Sequence, residues 1–371
     1  MPTLKLALNL PVMRVATGVL SLVVALGAVT ALAQEDLPRT ASGHPDLSGT
    51  YDVATLTPLS RPRRYGDKLT VTAEEAAEIE QYWKESLARD NAPSDPDRTA
   101  PPAGGVEIFV PEFSGAAGGV GGYNAFFVDI GEKVTQIDGK FRTSIITEPE
   151  NGRMPAFTPA AQQRRMEMAK FYHENTGKAW WIDMDKGPYD HPESRPVSER
   201  CLLGFGSTSG PPMLPVMYNN LKRIVQTDDY VMIMVEMNHD ARIIRLNDQH
   251  LPDQMRRWMG DSIGHWEGDT LVVETTNFRE DSVFSVASAA LTVTERFSRL
   301  DQDTLLYQFT VEDPNTWEKP WSGEYTWPAT NDRVFEYACH EGNYALGGIL
   351  RGARLLEKEA LSERANLGSE D

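Results

Sequence analysis

From Leu221 onward the chain reads KRIVQT (222–227), YVMIMVEM (230–237), ARIIRL (241–246), TLVVETTNF (270–278), TVTERFSRL (292–300), TLLYQFTVE (304–312), WSGEYTW (321–327) and VFEYACHE (334–341). These runs are short and rich in β-branched and aromatic residues, and acidic turns such as Asp228-Asp229, Glu267-Gly268-Asp269 and Asp301-Gln302-Asp303 separate them. A series of short strands joined by tight turns predicts a mainly β protein. The expected form is an antiparallel meander closing into one barrel, not a parallel α/β sheet.

Upstream, LSGTYDV (47–53) adds a short strand. A helix is expected from Thr72, where Thr72-x-x-Glu75 makes a capping box ahead of AEEAAEIEQYWKESLA. Between Asn91 and Gly122 the composition turns to Pro, Gly, Ser and Ala, which predicts a long irregular loop. A second helix should open at Thr158-Pro159, with Pro at its first position, and run to about Glu174. Two or three helices and the loop would then cover a barrel mouth. They would be insertions (about 72–122 and 158–200) in a single domain spanning 34–371.

The N-terminus predicts the compartment. Lys5 and Arg14 are the only charges before Glu35, and an apolar stretch from Val15 ends in Ala31-Leu32-Ala33. A basic start, an apolar core and a small-residue exit form a secretory signal peptide over residues 1–33, so a periplasmic or secreted protein is expected. The acidic balance, 36 Lys+Arg against 54 Asp+Glu, gives a net charge of −18, and losing Lys5 and Arg14 takes it to −20. Such a surface argues against nucleic acid, whose phosphates require a basic face, and against anionic lipid. Cys201 and Cys339 are the only cysteines; an oxidising compartment allows one disulfide between them, and two buried free thiols is the alternative.

Alternation places polar groups on apolar faces, because every second side chain of a strand shares a face. Glu295 falls with Leu291, Val293 and Phe297; Glu236 closes a run apolar on both faces; Glu341 follows Phe335, Tyr337 and Cys339. A carboxylate inside a barrel needs a cation or hydrogen-bond donors, or it stays protonated. Arg142, Arg242 and Arg245 are partners in kind. Such a set reads either as an acid–base constellation or as a satisfied buried Arg–Glu network. His239 and His340 sit among acids and aromatics and could serve as general bases. His250 and His265 fall in loops and are expected to face solvent. The chain has no HExxH, Walker loop, dinucleotide fingerprint or G-x-S-x-G nucleophile elbow, so neither metal nor cofactor is expected.

Several stretches resemble a large, mostly uncharacterised family of exported bacterial proteins: HPDLSGT (44–50), GYNAF (122–126) with Asp129, RTS (142–144), GRMP (152–155), RCL (200–202), YNN (218–220), WMGDS (258–262), WEGDTLVVETTNF (266–278), TERF (294–297) and YACHEGNY (337–344). The resemblance implies a single exported unit with a lipocalin-like barrel, and it brings no activity with it. The expected function is an exported barrel that binds a small hydrophobic or aromatic molecule and performs cofactor-free acid–base chemistry (lyase, isomerase, hydratase or hydrolase). The candidate catalytic residues are Glu236, His239, Glu295, His340 and Glu341. The candidate substrate contacts are Tyr123, Asn124, Arg142, Arg242, Trp266 and Tyr337. A periplasmic carrier without catalysis and an envelope interaction protein are the alternatives.

Overall fold

A computed structural model describes residues 37–90, 128–171, 176–208, 210–280 and 286–367. The expected leader (1–33), the Gly- and Pro-rich loop (91–122), Tyr123 and Asn124 lie outside the described residues. In chain order the elements are β1 (Gly49–Asp52), β2 (Thr70–Val71), α1 (Ala73–Asp90), β3 (Gln136–Ile137), β4 (Lys140–Arg142), β5 (Ile146–Glu148) and α2 (Pro159–Ala169). They continue with β6 (Leu221–Gln226), β7 (Tyr230–Val235), β8 (Ala241–Leu246), β9 (Asp261–Glu267), β10 (Thr270–Thr276), β11 (Thr292–Arg299), β12 (Thr304–Glu312), β13 (Trp321–Pro328) and α3 (Tyr344–Leu367).

Ten strands form one sheet in the order β1-β6-β7-β8-β9-β10-β11-β12-β13-β5, curled into a half-barrel, while β2-β4-β3 form a small second sheet. One bridge pairs Tyr51 with Ala329, just past β13, and the Thr330 N–H donates to the Thr50 carbonyl at 2.9 Å.

The meander is not antiparallel throughout. β8 and β9 pair in parallel, Ile244 opposite Ser262. The link over residues 247–260 is long enough to carry the chain back to the same end of the sheet, which a tight turn is not. A second correction concerns residues 334–341, which form no strand. Two of their backbone donors go to side chains, the Phe335 N–H to Glu236 Oε1 at 3.0 Å and the Tyr337 N–H to His239 Nε2 at 2.9 Å, and the Cys339 N–H turns back to the Tyr337 carbonyl at 2.8 Å. With its donors satisfied that way the segment has no ladder to join, so the expected alternation of Phe335, Tyr337, Cys339 and Glu341 is lost.

The Thr72–Glu75 capping box closes as expected, with reciprocal bonds of 2.8 and 3.2 Å. Thr158 Oγ1 accepts from the Ala161 N–H and starts α2, which ends at Ala169 rather than near Glu174. Alternation then builds the core. Val293, Glu295 and Phe297 of β11, Leu305, Tyr307, Phe309 and Val311 of β12, and Trp321, Gly323, Tyr325 and Trp327 of β13 are buried, and the residues alternating with them are partly exposed. Aromatic rings fill the concave face, with Tyr307–Trp327 centroids 4.8 Å apart and Phe297–Tyr307 centroids 5.1 Å apart. Two satellite clusters carry helices. Val71, Ala76 and Val134 seat α1 on the small sheet, and Ala353 seats α3 on Ala179 and Trp181.

Cys201 and Cys339 are joined by a disulfide across 138 residues. Closing so long a loop restricts the unfolded chain. Reduction, or a Cys339→Ser substitution, is expected to lower stability by about 3–5 kcal/mol, read as a shift in the urea midpoint with and without thiol.

Candidate functional site

The carboxylate placed on an apolar face lies at the centre of the half-barrel. Glu295 is fully buried and receives Arg242 in a two-pronged contact, Nη1 to Oε1 at 3.1 Å and Nη2 to Oε2 at 2.7 Å. The Tyr307 hydroxyl donates to Oε1 at 2.8 Å and accepts from the Met213 N–H at 2.8 Å; the Tyr325 hydroxyl donates to the Met213 carbonyl at 2.7 Å. Burial, and secondarily the Glu295 charge, push the Tyr307 phenol well above its ordinary pKa, so it stays a donor. The network ties β8, β11, β12, β13 and the Met213 loop together. Packed rings surround it, and its geometry is that of a structural ion pair.

A different cluster forms where β1 and β7 end and β6 begins. Lys222 pairs across the sheet with Tyr51 on one side and Val235 on the other, so its side chain starts on the core face, and it is completely buried. Its ammonium donates to the Thr208 carbonyl at 3.0 Å. Burial lowers its pKa to about 7, against the opposing pull of Glu236, Asp240 and Asp52. Asp52 moves the other way: burial raises it to about 6, and the charges of Asp129, Asp332 and Glu236 add to the rise although the Ala54 N–H hydrogen bond opposes it. Asp129 is also raised, chiefly by burial. Burial thus weakens an ammonium and an acid that lie within electrostatic reach of one another, a pattern typical of reactive sites.

Local backbone chemistry positions the rest. Asn238 and His239 both adopt left-handed conformations (φ 61° and 56°) and turn the chain sharply after Glu236. His239 Nε2 acts as an acceptor, so the neutral ring carries its proton on Nδ1. The Gly204 N–H meets Asp240 Oδ2 at 3.3 Å, and the Phe205 N–H meets the Met237 sulfur at 3.2 Å. Leu202, Phe205 and Phe335 are exposed beside these groups and give the cluster an apolar rim.

The other predicted residues are dispersed. Of the candidate catalytic set only Glu236 and His239 reach this cluster. Glu295 is in the core, and His340 and Glu341 are exposed in the turn before α3. Arg142 binds Glu324 at 2.7 Å, and Arg242 is committed to Glu295. Trp266 stacks on His44, centroids 4.6 Å apart. Tyr337 joins the cluster through its backbone and packs partly on the main core. His265 is exposed but lies on β9, not in a loop, and His250 is largely covered, between Asp261 and Glu274 at 3.1 Å each. Asp261 is held well below the carboxylate range by Arg245, the Leu251 N–H and His250, which outweigh its burial.

Lys222 and Asp52 were not among the candidate site residues, and Asp129 entered only as part of the resemblance. Alternation does group Lys222 with Ile224 in KRIVQT, a signal that could have flagged it. A polar cleft of about 240 Å³ also lies against β11–β13, but its groups engage one another: Thr310 with Ser322 at 2.9 Å and Gln308 with Glu324 at 3.1 Å. Among the described residues, no group of three His, Cys, Asp or Glu is placed to hold a metal ion. No protein-family model, curated protein or solved structure matches the chain.

Two stability measurements separate the two clusters. Removing one partner of the core pair, as in Glu295→Gln or Arg242→Met, should cost about 3–5 kcal/mol, whereas the double replacement Arg242→Met/Glu295→Leu should recover most of it. Lys222 should behave oppositely. Between its folded pKa of about 7 and its ordinary 10.5, the unfolded chain holds a proton that the folded chain has released, so the lysine's contribution to stability rises with pH across that window. Lys222→Met is therefore expected to raise the unfolding midpoint at pH 6 and to flatten the alkaline rise, as read from urea titrations at pH 6, 8 and 10.

Proposed function

We propose that this is an exported, lipocalin-like barrel that binds a small hydrophobic or aromatic molecule and performs cofactor-free acid–base chemistry at the end of the barrel lined by Lys222, Asp52, Glu236 and His239. The observation that carries the reading is the fully buried Lys222 amine beside acids. The filled concave face favours this end over the barrel interior. Lys222, its amine weakened by burial to about 7, takes a proton from the substrate, and Asp52, raised by burial to about 6, returns one. The apolar rim of Leu202, Phe205 and Phe335 suits an apolar ligand body. Export is inferred from the expected leader; a long-range disulfide agrees with an oxidising compartment. Among the described residues no helix is long and apolar enough to cross a membrane.

The test is a metabolite panel presented to the mature protein, with bound mass read by native mass spectrometry and turnover by liquid chromatography. Lys222→Met and Asp52→Asn should each cut turnover by roughly 100-fold or more while binding is retained. His340→Ala should leave turnover unchanged. A base near 7 and an acid near 6 predict a narrow bell in kcat/KM centred between those values. Wild-type turnover in both variants would refute the reading.

A further inference from the structure

Resting on that reading of the same site, we infer that Lys222 acts covalently, forming an imine with a small aldehyde or ketone that carries an apolar or aromatic group.

The first ground is the way the amine is buried. The core cation Arg242 is matched to Glu295 by two hydrogen bonds. Lys222, equally buried, has no carboxylate within ion-pair distance among the described residues; its hydrogen bond goes to a neutral carbonyl, that of Thr208. A carbonyl accepts from –NH2 as well as from –NH3⁺, more strongly from the latter, so this single contact holds the side chain in place while favouring the charged form far less than an ion pair does. A carboxylate partner would have locked the charge on.

The second ground is redundancy. Asp52 already supplies a group for proton transfer at this end of the half-barrel, while Glu236 and His239 accept the Phe335 and Tyr337 N–H groups. A primary amine adds something none of them has, a nitrogen nucleophile that condenses with carbonyl carbon, and enclosure among apolar neighbours is what makes lysine amines nucleophilic. Tyr51 and Val235 flank Lys222 across the strands, and Met237 is buried just beyond.

The step balances within the site and its ligand. The Lys222 Nζ lone pair bonds to the carbonyl carbon while the C=O π pair moves to oxygen, and a proton passes from nitrogen to that oxygen to give a carbinolamine. Asp52 in its acid form protonates the hydroxyl, water leaves, and the nitrogen lone pair forms the C=N bond. The sum is an amine, a carbonyl and the Asp52 carboxylic acid giving a protonated imine, the Asp52 carboxylate and water, with no change of oxidation state. The protonated imine is an electron sink for breaking a neighbouring C–H or C–C bond, which narrows the acid–base chemistry to reactions beside a carbonyl.

The wild-type protein is incubated at pH 7 with benzaldehyde and sodium cyanoborohydride, whose hydride reduces an imine to a stable benzyl amine, and is then peptide-mapped. The expected result is benzylation of Lys222 at least tenfold faster than of any other lysine, with suppression by whichever panel ligand binds. Labelling spread over surface lysines with Lys222 unmodified overturns the imine. If that result is accompanied by loss of turnover in Lys222→Met and Asp52→Asn, the non-covalent acid–base reading survives alone. If the two variants keep wild-type turnover as well, both readings fall.

Discussion

The half-barrel depends on one buried ion pair. Arg242 and Glu295 meet where neither can reach water, and their mutual geometry fixes how far β8 stands from β11 across the concave face. Taking two ions out of water costs several kcal/mol each, so the pair is tolerable only because nearly every polar atom around it is matched: two Arg–Glu bonds, a Tyr307 hydroxyl and, behind it, the Met213 backbone. That matching dictates direction. An aliphatic core of the same volume could slide by a residue, whereas a two-pronged contact has one register. The rings of Phe297, Tyr325 and Trp327 close around it and exclude water, which strengthens the same contacts.

The end of the sheet buries charge on the opposite principle. Lys222 is held without a matching carboxylate, and Asp52 sits partly covered among other acids. Each group is pushed toward its neutral form. The two clusters therefore divide the labour that the sequence offers to a single constellation: Glu295 organises the fold, while Glu236 and His239 belong to the end where β7 turns back. The left-handed Asn238 and His239 and the Cys201–Cys339 disulfide bring residues 201–208 and 335–339 to that end.

Legibility followed physics. Strands β11, β12 and β13 were readable because one face is buried and the other is not, so period-two alternation is sharp and places Glu295 correctly. The capping box and the Thr158-Pro159 start were readable because they are satisfied within a few residues of chain. The segment 334–341 misled because its β-rich composition is real, while its Phe335 and Tyr337 backbone donors are claimed by Glu236 and His239 from a distant turn. Helix α3 was hidden by Gly347, Gly348 and Gly352, which lower helix propensity and blur its pattern. β9 was overlooked because its parallel partner β8 lies beyond a long link rather than a hairpin. Lys222 illustrates the limit best: a lysine in a six-residue strand reads as a solvated edge, and only the neighbouring strands and the Thr208 loop show that it is enclosed.

Those enclosing elements also weigh against a purely structural lysine. The whole chain is acidic, so a buried amine here has carboxylates within electrostatic reach that would stabilise its charge, yet burial outweighs them. A side chain needed only to fill the end of the half-barrel and touch Thr208 would be better served by methionine, as Met213 and Met237, both fully buried, show nearby. Methionine fills similar space without a desolvation penalty. Keeping an amine in that position imposes a standing cost on the fold, and such costs concentrate at sites where chemistry needs the strained group.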